Sequence, residues 1–232
     1  MKCYFCKKIN RMSNIGVLFD LDGVLIDSES TYTEFWSGID EIYPTGVENF
    51  ARAIKGTTLP SILEYYSDNA VREDIVARLK DFQVAMKFPL FPGAKELLQG
   101  LRDAAIPSAI VTSSDASKMR LLYEQHPWFP EMVTAIIDAS KVTRSKPDPQ
   151  GYLLGAKAIG VAPQQCFVFE DSLQGLAAGR AAGATVVGVA TTYPHATIRP
   201  LADIVVNTVA DISVHRLLEL SRGDKAHRAV LS

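Results

Sequence analysis

The sequence contains few cysteines and no long apolar run. Cys3 and Cys6 have the spacing of half a zinc knuckle, but the third and last cysteine, Cys166, lies far away in an apolar run. We therefore expect a loose tail at residues 1–14 rather than a structural metal site. Because no apolar run approaches 18 residues, we predict no transmembrane helix and no membrane partner.

The sequence also has little excess charge. A net charge of −2 and an isoelectric point near 6.1 give no overall field for nucleic acid, so we expect no nucleic-acid partner. The basic N-terminus is not followed by the apolar segment of a secretory signal, which favours a cytoplasmic protein, and Met12 is an alternative start. The 47% apolar content indicates an ordinary globular chain, for which a monomer is the default expectation.

Short apolar runs alternate with amphipathic segments through most of the chain. This alternation is typical of parallel strands joined by helices, and it predicts an α/β fold with a six-stranded, Rossmann-like parallel sheet. The predicted strands are 15–19, 108–111, 134–137, 166–169, 185–190 and 203–206. The predicted helices of this core are 95–105, 116–126, 150–160 and 172–183.

The alternation is interrupted after the first strand. Four segments there (29–43, 47–56, 59–67 and 71–86) have helical spacing, and no strand pattern lies among them. They predict a small all-helical cap domain inserted after the first strand, with Pro89, Pro92 and Gly93 marking the return to the core. The expected domains are a tail (1–14), the first part of the core (15–27), the cap (28–90) and the second part of the core (91–232).

Polar residues follow several of the predicted strands. Asp20 and Asp22 point the same way at the end of the first strand, where they repel each other unless a cation or a shared proton is present. Ligands of open α/β sheets bind at the carboxyl ends of the strands, so we expect the polar groups to converge there. The other members of this set are Thr112, Ser113, Lys146, Glu170 and Asp171. Converging carboxylates need a cation, and hard oxygen ligands suit Mg²⁺.

Each of these residues also has a purely structural interpretation. Asp171 fits the N-cap of the helix that begins near Leu173, and for Asp148 a capping role before the next helix is preferred. Thr112 fits a strand-end residue, and Lys146 taken alone fits a solvated loop lysine. Their combination at one sheet edge favours a functional site.

The chemistry of this combination is that of a site for a phosphate dianion. A magnesium ion would offset the repulsion between an incoming phosphate and a carboxylate nucleophile. With Asp20 as the nucleophile, transfer passes through an aspartyl-phosphate. Asp22 would protonate the leaving alcohol and later accept a proton from water, and Gly23 would let the backbone turn after this pair.

Four segments resemble, in order and spacing, the motifs of the haloacid dehalogenase superfamily. They are DLDGVLIDS at 20–28, VTSS at 111–114, SKPDP at 145–149 and FEDSLQG at 169–175. The resemblance implies the following roles: Asp20 as nucleophile and metal ligand, Asp22 as general acid and base whose carbonyl also binds metal, Thr112 with the Ser113 amide as the phosphate-binding pair, Lys146 as the cation beside nucleophile and phosphate, Asp171 as a direct Mg²⁺ ligand, and Glu170 as either a ligand or an orienting residue.

The helical insertion resembles the cap of the phosphoglucomutase-like and phosphoglycolate-phosphatase-like branch. An acid at position 22 favours phosphate-ester chemistry, so we expect a Mg²⁺-dependent phosphatase of small phosphomonoesters such as sugar phosphates. A β-phosphoglucomutase is the alternative, but Tyr32 and Leu59 stand where such mutases carry a histidine and an arginine. A non-enzymatic phospho-accepting module is a third possibility, against which the cap argues.

Substrate selection is expected to fall to the cap. Tyr32, Lys55 and Thr57 are the candidate substrate contacts. Trp36 is a further candidate, although a place in the core of the cap is the favoured interpretation for that residue.

Overall fold

A computed structural model of the protein describes residues 15–222, so the expectations for Cys3, Cys6 and Met12 lie outside the described residues. Its strands are β1 Gly16–Phe19, β2 Ser108–Val111, β3 Ala135–Ile137, β4 Cys166–Glu170, β5 Thr185–Val189 and β6 Ile204–Val206. Its α-helices are α1 Glu29–Ile42, α2 Phe50–Ala53, α3 Leu59–Leu63, α4 Asn69–Ala85, α5 Ala94–Asp103, α6 Ala116–Gln125, α7 Gln150–Ala158, α8 Leu173–Ala181, α9 His195–Ile198 and α10 Val214–Ser221.

All six strands form one parallel sheet in the order β3-β2-β1-β4-β5-β6, which confirms the predicted fold class. The chain runs outward from β1 to β3 on one side and from β4 to β6 on the other. The strand order therefore reverses between β1 and β4. In doubly wound sheets this switch point leaves a crevice at the carboxyl ends of the strands, where ligands bind.

Helices cover both faces of the sheet, which is why the central strands are predominantly apolar. Every residue of β1 and of β2 is buried. Leu98 of α5, Leu122 of α6 and Leu217 of α10 pack in the cluster on one face. Tyr152 of α7 and Ala178 of α8 pack in the cluster on the other.

The insertion between β1 and β2 is helical within the described residues, as predicted. Its helices α1–α4, here called the cap, surround an apolar cluster of their own that includes Trp36, Phe50 and Ile75. Two of these helices are shorter than their apolar spacing predicted. The left-handed backbone of Asn49 precedes α2, and Gly56, with φ of 78°, follows it, so neither residue extends the helix.

The two connections between core and cap lie side by side. The Asp27 amide donates to the Pro89 carbonyl at 2.8 Å, and the Phe91 amide donates to the Leu25 carbonyl at 3.0 Å. Ile26 and Leu90 form the antiparallel bridge between them. These hydrogen bonds hold the two crossings against each other where the chain passes between core and cap.

Two helices near the end of the described chain, α9 and α10, were not predicted. The α10 helix has a short apolar stripe that packs against α5, and the Ser213 side chain caps it by accepting from the Arg216 amide. Among residues 15–222, none of the helices has the length and apolar character needed to span a membrane.

Candidate active site

Three carboxylates meet at the switch point of the sheet. Asp20 follows β1, Glu170 ends β4 and Asp171 comes directly after it, and one carboxylate oxygen from each lies within 4.8 Å of the others. All three side chains are buried. Parallel pairing of β1 with β4 places these strand ends beside each other, so the sheet register creates the cluster.

Lys146 is the cation within this cluster. Its Nζ lies 2.6 Å from Asp20 Oδ1 and also donates to Glu170. Lys146 is only 7% exposed, which rules out the solvated-loop interpretation. Burial disfavours its charge, but the two carboxylates outweigh burial and raise the pKa of Lys146.

One lysine does not neutralise three acids. Burial, opposed by Lys146 and reinforced by Glu170 and Asp22, raises the pKa of Asp20 to about 7. Burial and the neighbouring Glu170 and Asp20 charges raise the pKa of Asp171 well above its usual range. The cluster therefore carries more negative charge than a buried site tolerates without a further cation.

Both oxygens of Glu170 already accept hydrogen bonds. Tyr152 and Lys146 donate to Oε1, with the Tyr152 hydroxyl at 2.6 Å. The amides of Asp171 and Ser172 donate to Oε2, each at 3.1 Å. Gly175 is required here, because a Cβ at that position would lie 1.8 Å from Glu170 Oε1. These contacts fix the side chain of Glu170 in one orientation.

Asp171 is not the helix cap that one sequence interpretation suggested. The N-cap of α8 is Ser172, whose hydroxyl accepts from the Gly175 amide at 3.0 Å. The Asp171 carboxylate instead receives a hydrogen bond from the Thr192 hydroxyl. Gly23 leaves space for the Asp171 carboxylate, since a Cβ on residue 23 would lie 2.0 Å from Asp171 Oδ2. The φ of Gly23 is +75°, a backbone conformation that also favours glycine.

Asp22 lies in a different environment from Asp20. Its Oδ1 accepts from the Ser28 hydroxyl and from Lys118 Nζ at 2.5 Å, and its Oδ2 accepts from the Ser114 hydroxyl at 3.0 Å. Burial opposes ionisation, but the Lys118 charge and these hydrogen bonds outweigh burial and lower the pKa of Asp22. The two neighbouring aspartates thus have opposite pKa shifts, a pattern typical of paired acid and base groups.

The segment after β2 connects the sheet with the cap. The Thr112 amide donates to Ile137 in β3 at 2.9 Å, so Thr112 continues the strand, while its hydroxyl accepts from the Ser114 amide at 3.0 Å. The Ser113 hydroxyl donates to the Gly56 carbonyl of the cap at 2.8 Å. Its side chain is thereby engaged with the cap.

Asp148 lies away from the carboxylate cluster and is not the N-cap preferred from the sequence, because Pro149 occupies the N-cap position of α7. Its Oδ1 accepts from the Gln150 amide at 2.9 Å at the start of α7. Its other oxygen pairs with Arg144 at 3.1 Å. These contacts account for this acid without a role in the site.

A cleft separates the carboxylate cluster from the cap. It encloses about 800 Å³, part of which is open to solvent. The core side is lined by Asp20, Asp22, Thr112, Ser113, Ser114, Asp115, Lys118, Asp171 and Ser172. The cap side is lined by Tyr32, Thr33, Trp36, Ala51, Ile54, Lys55, Gly56, Thr57, Leu59, Ile62, Leu79 and Gln83. Lys146 and Glu170 are not among the lining residues and lie behind Asp20.

The four cap candidates all line this cleft. The Tyr32 hydroxyl accepts from Gln83 Nε2 at 3.1 Å, and the Thr57 hydroxyl donates to the Ile54 carbonyl at 2.6 Å. Burial lowers the pKa of Lys55, against the opposing charges of Asp171 and Asp22. Trp36 belongs to the apolar cluster of the cap, as favoured from the sequence, and presents part of its surface to the cleft.

Sequence reasoning missed several residues that contact the acids. These are Ser28, Lys118, Tyr152 and Thr192. A signal existed for Lys118, because it precedes the fully buried Leu122 by four residues on the same face of α6. Tyr152 and Thr192 had no comparable signal, since their contacts depend on how α7 and the loop after β5 fold back over the strand ends.

The protein has a parallel α/β sheet with buried acids and a lysine at its switch point, and the helical cap covers this site. This combination is typical of the class of enzymes with capped active sites. Within that class, the family model described as haloacid dehalogenase-like hydrolase matches residues 16–183. The chain belongs to this family, which confirms the predicted superfamily and the expectation of a hydrolase.

Individual relatives agree with this assignment. The chain is 36% identical over 180 residues to hexitol phosphatase A of Escherichia coli strain K12, covering 75% of this chain and 82% of the relative. It is 28% identical to β-phosphoglucomutase of Bacillus subtilis strain 168, covering 88% and 94% of the two chains. The crystal structure of a β-phosphoglucomutase from Clostridium difficile has the same fold, with a TM-score of 0.75 at 23% identity over 89% of this chain and 96% of that one.

Proposed function

We propose that this protein hydrolyses small phosphomonoesters with the help of Mg²⁺, through an aspartyl-phosphate on Asp20. The observation that carries the proposal is the buried cluster of Asp20, Glu170 and Asp171, which shares a single lysine and faces a capped cleft. Phosphatases among the relatives support the same reaction class, including the hexitol phosphatase.

The residues present fit a divalent cation. Carboxylate oxygens are the hard ligands that Mg²⁺ prefers. Burial and the neighbouring acids raise the pKa values of Asp20 and Asp171, and a divalent cation between them would offset this effect. We assign the ion to Asp20, Asp171 and the Asp22 carbonyl. Of the two roles left open for Glu170, we assign the orienting one, because both of its oxygens are already engaged. When bound, the ion would supply charge neutralisation for the phosphate.

In the first half of the reaction, an Asp20 oxygen attacks phosphorus and the bond to the alcohol oxygen breaks. Lys146, at 2.6 Å from Asp20, holds the nucleophile in place and offsets the charge of the approaching phosphate. Thr112 and the Ser113 amide are assigned to the phosphate oxygens. Asp22, on the cleft wall beside Asp20, takes up a proton from the monoanionic phosphate ester as the substrate binds, and delivers it to the departing alkoxide.

In the second half, water attacks the aspartyl-phosphate and phosphate leaves Asp20. Asp22 takes the proton from this water. Its lowered pKa keeps it ionised in the free protein, which is the form required of a base. The raised pKa of Asp20 suits a nucleophile whose charge a metal ion would offset. The lowered pKa of Asp22 suits a base that is held by Lys118.

The cap is proposed to close over the substrate and exclude bulk water. Its proposed limits remain residues 28 and 90, where the paired crossings form the hinge. Tyr32, Lys55 and Thr57 are the proposed substrate contacts, and a small phosphorylated metabolite, such as a sugar phosphate, is the proposed substrate. A cytoplasmic monomer stays a prediction.

A phosphomutase is the second candidate, because the β-phosphoglucomutase of Bacillus subtilis matches most of the chain. A mutase must hold a second phosphate while excluding water. Tyr32 and Leu59, which stand where such mutases carry a histidine and an arginine, both line the cleft, and Leu59 offers no charge for that purpose. This difference favours hydrolysis.

The test is a panel of phosphate esters, including glucitol 6-phosphate, p-nitrophenyl phosphate and β-glucose 1-phosphate. We expect release of inorganic phosphate with Mg²⁺ and loss of activity in excess EDTA that added Mg²⁺ restores. Undiminished hydrolysis in EDTA would refute the metal dependence. In the presence of a bisphosphate primer, conversion of β-glucose 1-phosphate to glucose 6-phosphate that is faster than phosphate release would establish the mutase instead.

A further inference from the structure

We propose that Lys118 is a positioning residue that holds the Asp22 carboxylate in its working orientation and connects it to the cap. This inference rests on the proposed function, since it gives Asp22 a proton-transfer role. The juxtaposition that carries it is a buried ammonium between Asp22 of the core and Tyr32 of the cap.

The first argument is the cost of placing a lysine at this position. Lys118 is only 4% exposed and lies in the first turn of α6, where the helix dipole disfavours a cation. A buried ion pair is seldom a net source of stability compared with apolar side chains, and the neighbouring Met119 and Leu122 show that this helix face is otherwise apolar. Stability alone therefore does not account for Lys118.

The second argument is geometric. Lys118 Nζ lies 2.5 Å from Asp22 Oδ1, while Ser114 donates to Oδ2 at 3.0 Å. Donors on both oxygens fix the plane of the carboxylate. The Ser28 hydroxyl also donates to Oδ1, so loss of Lys118 would leave that oxygen with one neutral donor. Because proton transfer is sensitive to placement, the less firmly held carboxylate would deliver its proton less efficiently.

The third argument is the contact with the cap. Lys118 Nζ lies 4.3 Å from the centre of the Tyr32 ring, and the Tyr32 hydroxyl accepts from Gln83 of α4. The α1 helix of the cap thus contacts Lys118 through Tyr32, and α4 supports Tyr32 through Gln83. Lys146, by contrast, contacts Asp20 and Glu170, so the two buried lysines serve different carboxylates.

The experiment is a double-mutant cycle on the full chain with Mg²⁺. Lys118→Met should lower kcat for glucitol 6-phosphate by about 10- to 100-fold while changing KM by less than about threefold. The burst rate with p-nitrophenyl phosphate, whose leaving group needs little protonation, should fall by less than about threefold. In an Asp22→Asn background, Lys118→Met should change kcat by less than about twofold, because the residue through which Lys118 acts is already gone.

Several results would overturn the proposal. If the loss of kcat in the double variant equals the product of the losses in the two single variants, Lys118 acts independently of Asp22. An effect confined to KM would make it a substrate-binding residue, and equal losses of the phosphorylation rate for both substrates would make its role structural.

Two controls keep the test sharp. Lys118→Arg retains a charged donor and should recover most of the lost kcat, and Lys118→Gln, which removes the charge, replaces the methionine variant in the cycle if that variant does not fold. Lys157→Met, at an exposed position of α7, should behave as the unchanged protein. If the unchanged protein hydrolyses neither ester with Mg²⁺, both the proposed function and the role of Lys118 fail, whereas an active protein with multiplying losses refutes only the latter.

Discussion

The two walls of the cleft differ in almost every physical respect. The core wall is charged and largely buried. Asp22 accepts hydrogen bonds from three side chains, and Asp20 and Asp171 each accept from one. The cap wall is largely apolar, with Trp36, Ile62 and Leu79 continuous with the cap's own cluster, and it has few polar groups. A charged wall fits the reacting phosphate, which is common to all phosphomonoesters, and an apolar wall with few polar groups fits the variable part of the substrate.

The two walls are also stabilised in different ways. The cap is held by ordinary apolar burial and by aromatic contacts such as those of Phe35 with Trp36 and Phe82. On the core wall, burial and the neighbouring acids raise the pKa values of Asp20 and Asp171, which marks an unfavourable arrangement of charge. A site that binds charge is therefore maintained by the apolar strands beneath it, at some cost to stability.

The largest expected effect follows from changing the nucleophile on the core wall. Asp20→Asn should lower turnover by at least ~10⁴-fold for every substrate, because an amide does not form the acyl-phosphate. Circular dichroism should show an unchanged fold, and acid-quenched protein should carry no phosphate. Asp103→Asn, at an exposed position of α5, serves as the matched control and should keep full activity. Near-normal kcat in the Asp20 variant would remove that residue from the role.

The next effect separates the two aspartates of the core wall. Asp22→Asn should slow hydrolysis of an alkyl phosphate by roughly 10²- to 10⁴-fold, the usual range for a lost proton donor. With p-nitrophenyl phosphate the first step should suffer least, so stopped-flow absorbance should show a burst followed by slow turnover. Equal slowing of the first step for both esters, without a burst, would assign Asp22 to the metal site and proton transfer to another group.

A change on the cap wall should alter selection rather than chemistry. Tyr32→Phe keeps the ring beside Lys118 but removes the hydroxyl that accepts from Gln83. We expect KM for a hydroxyl-rich substrate such as glucitol 6-phosphate to rise about fivefold, the worth of one hydrogen bond, with kcat for p-nitrophenyl phosphate unchanged. Tyr65→Phe, on an exposed tyrosine of the cap, is the control. If kcat falls equally for both esters, the division of labour between the walls is wrong.

The smallest effect concerns stability without metal. Because the pKa of folded Asp20 is about 7 and its ordinary value is 3.8, the folded state retains a proton that the unfolded state has released. The free energy of unfolding should therefore fall as pH rises through about 7, by about 1–3 kcal/mol, or about 3–10 °C in melting temperature. Because the pKa of Asp22 is lowered from 3.8, Asp22 changes the free energy of unfolding only at more acidic pH and does not contribute to this slope near pH 7.

Calorimetry in EDTA between pH 5 and pH 8 measures this slope. Saturating Mg²⁺ should flatten it, because the ion supplies the missing charge, and Asp171→Asn should weaken the response to Mg²⁺. A slope that is the same with and without Mg²⁺ would show that no cation binds at the cluster.

Much of the fold was predictable because its signals are local. Each strand of the sheet is a short apolar run, since both faces are covered, and each core helix has an amphipathic spacing. The helices of the cap were predicted by the same spacing, but α2 is shorter than predicted because Asn49 and Gly56 on either side of it have positive φ. The α3 helix begins as predicted but ends at Leu63 rather than at residue 67. Helix ends depend on the backbone conformation of single residues, and the apolar spacing of a segment does not predict that conformation.

By itself, the sequence determined the class of the fold and the acids at the strand ends, because the position of a polar residue after an apolar strand fixes which edge of the sheet it occupies. Only the tertiary structure decided which groups contact those acids. Lys118 reaches Asp22 across 96 residues of chain, and Tyr152 reaches Glu170 from a neighbouring helix. Such contacts follow from how helices pack on the sheet, and packing of distant segments leaves no periodic trace in the order of residues.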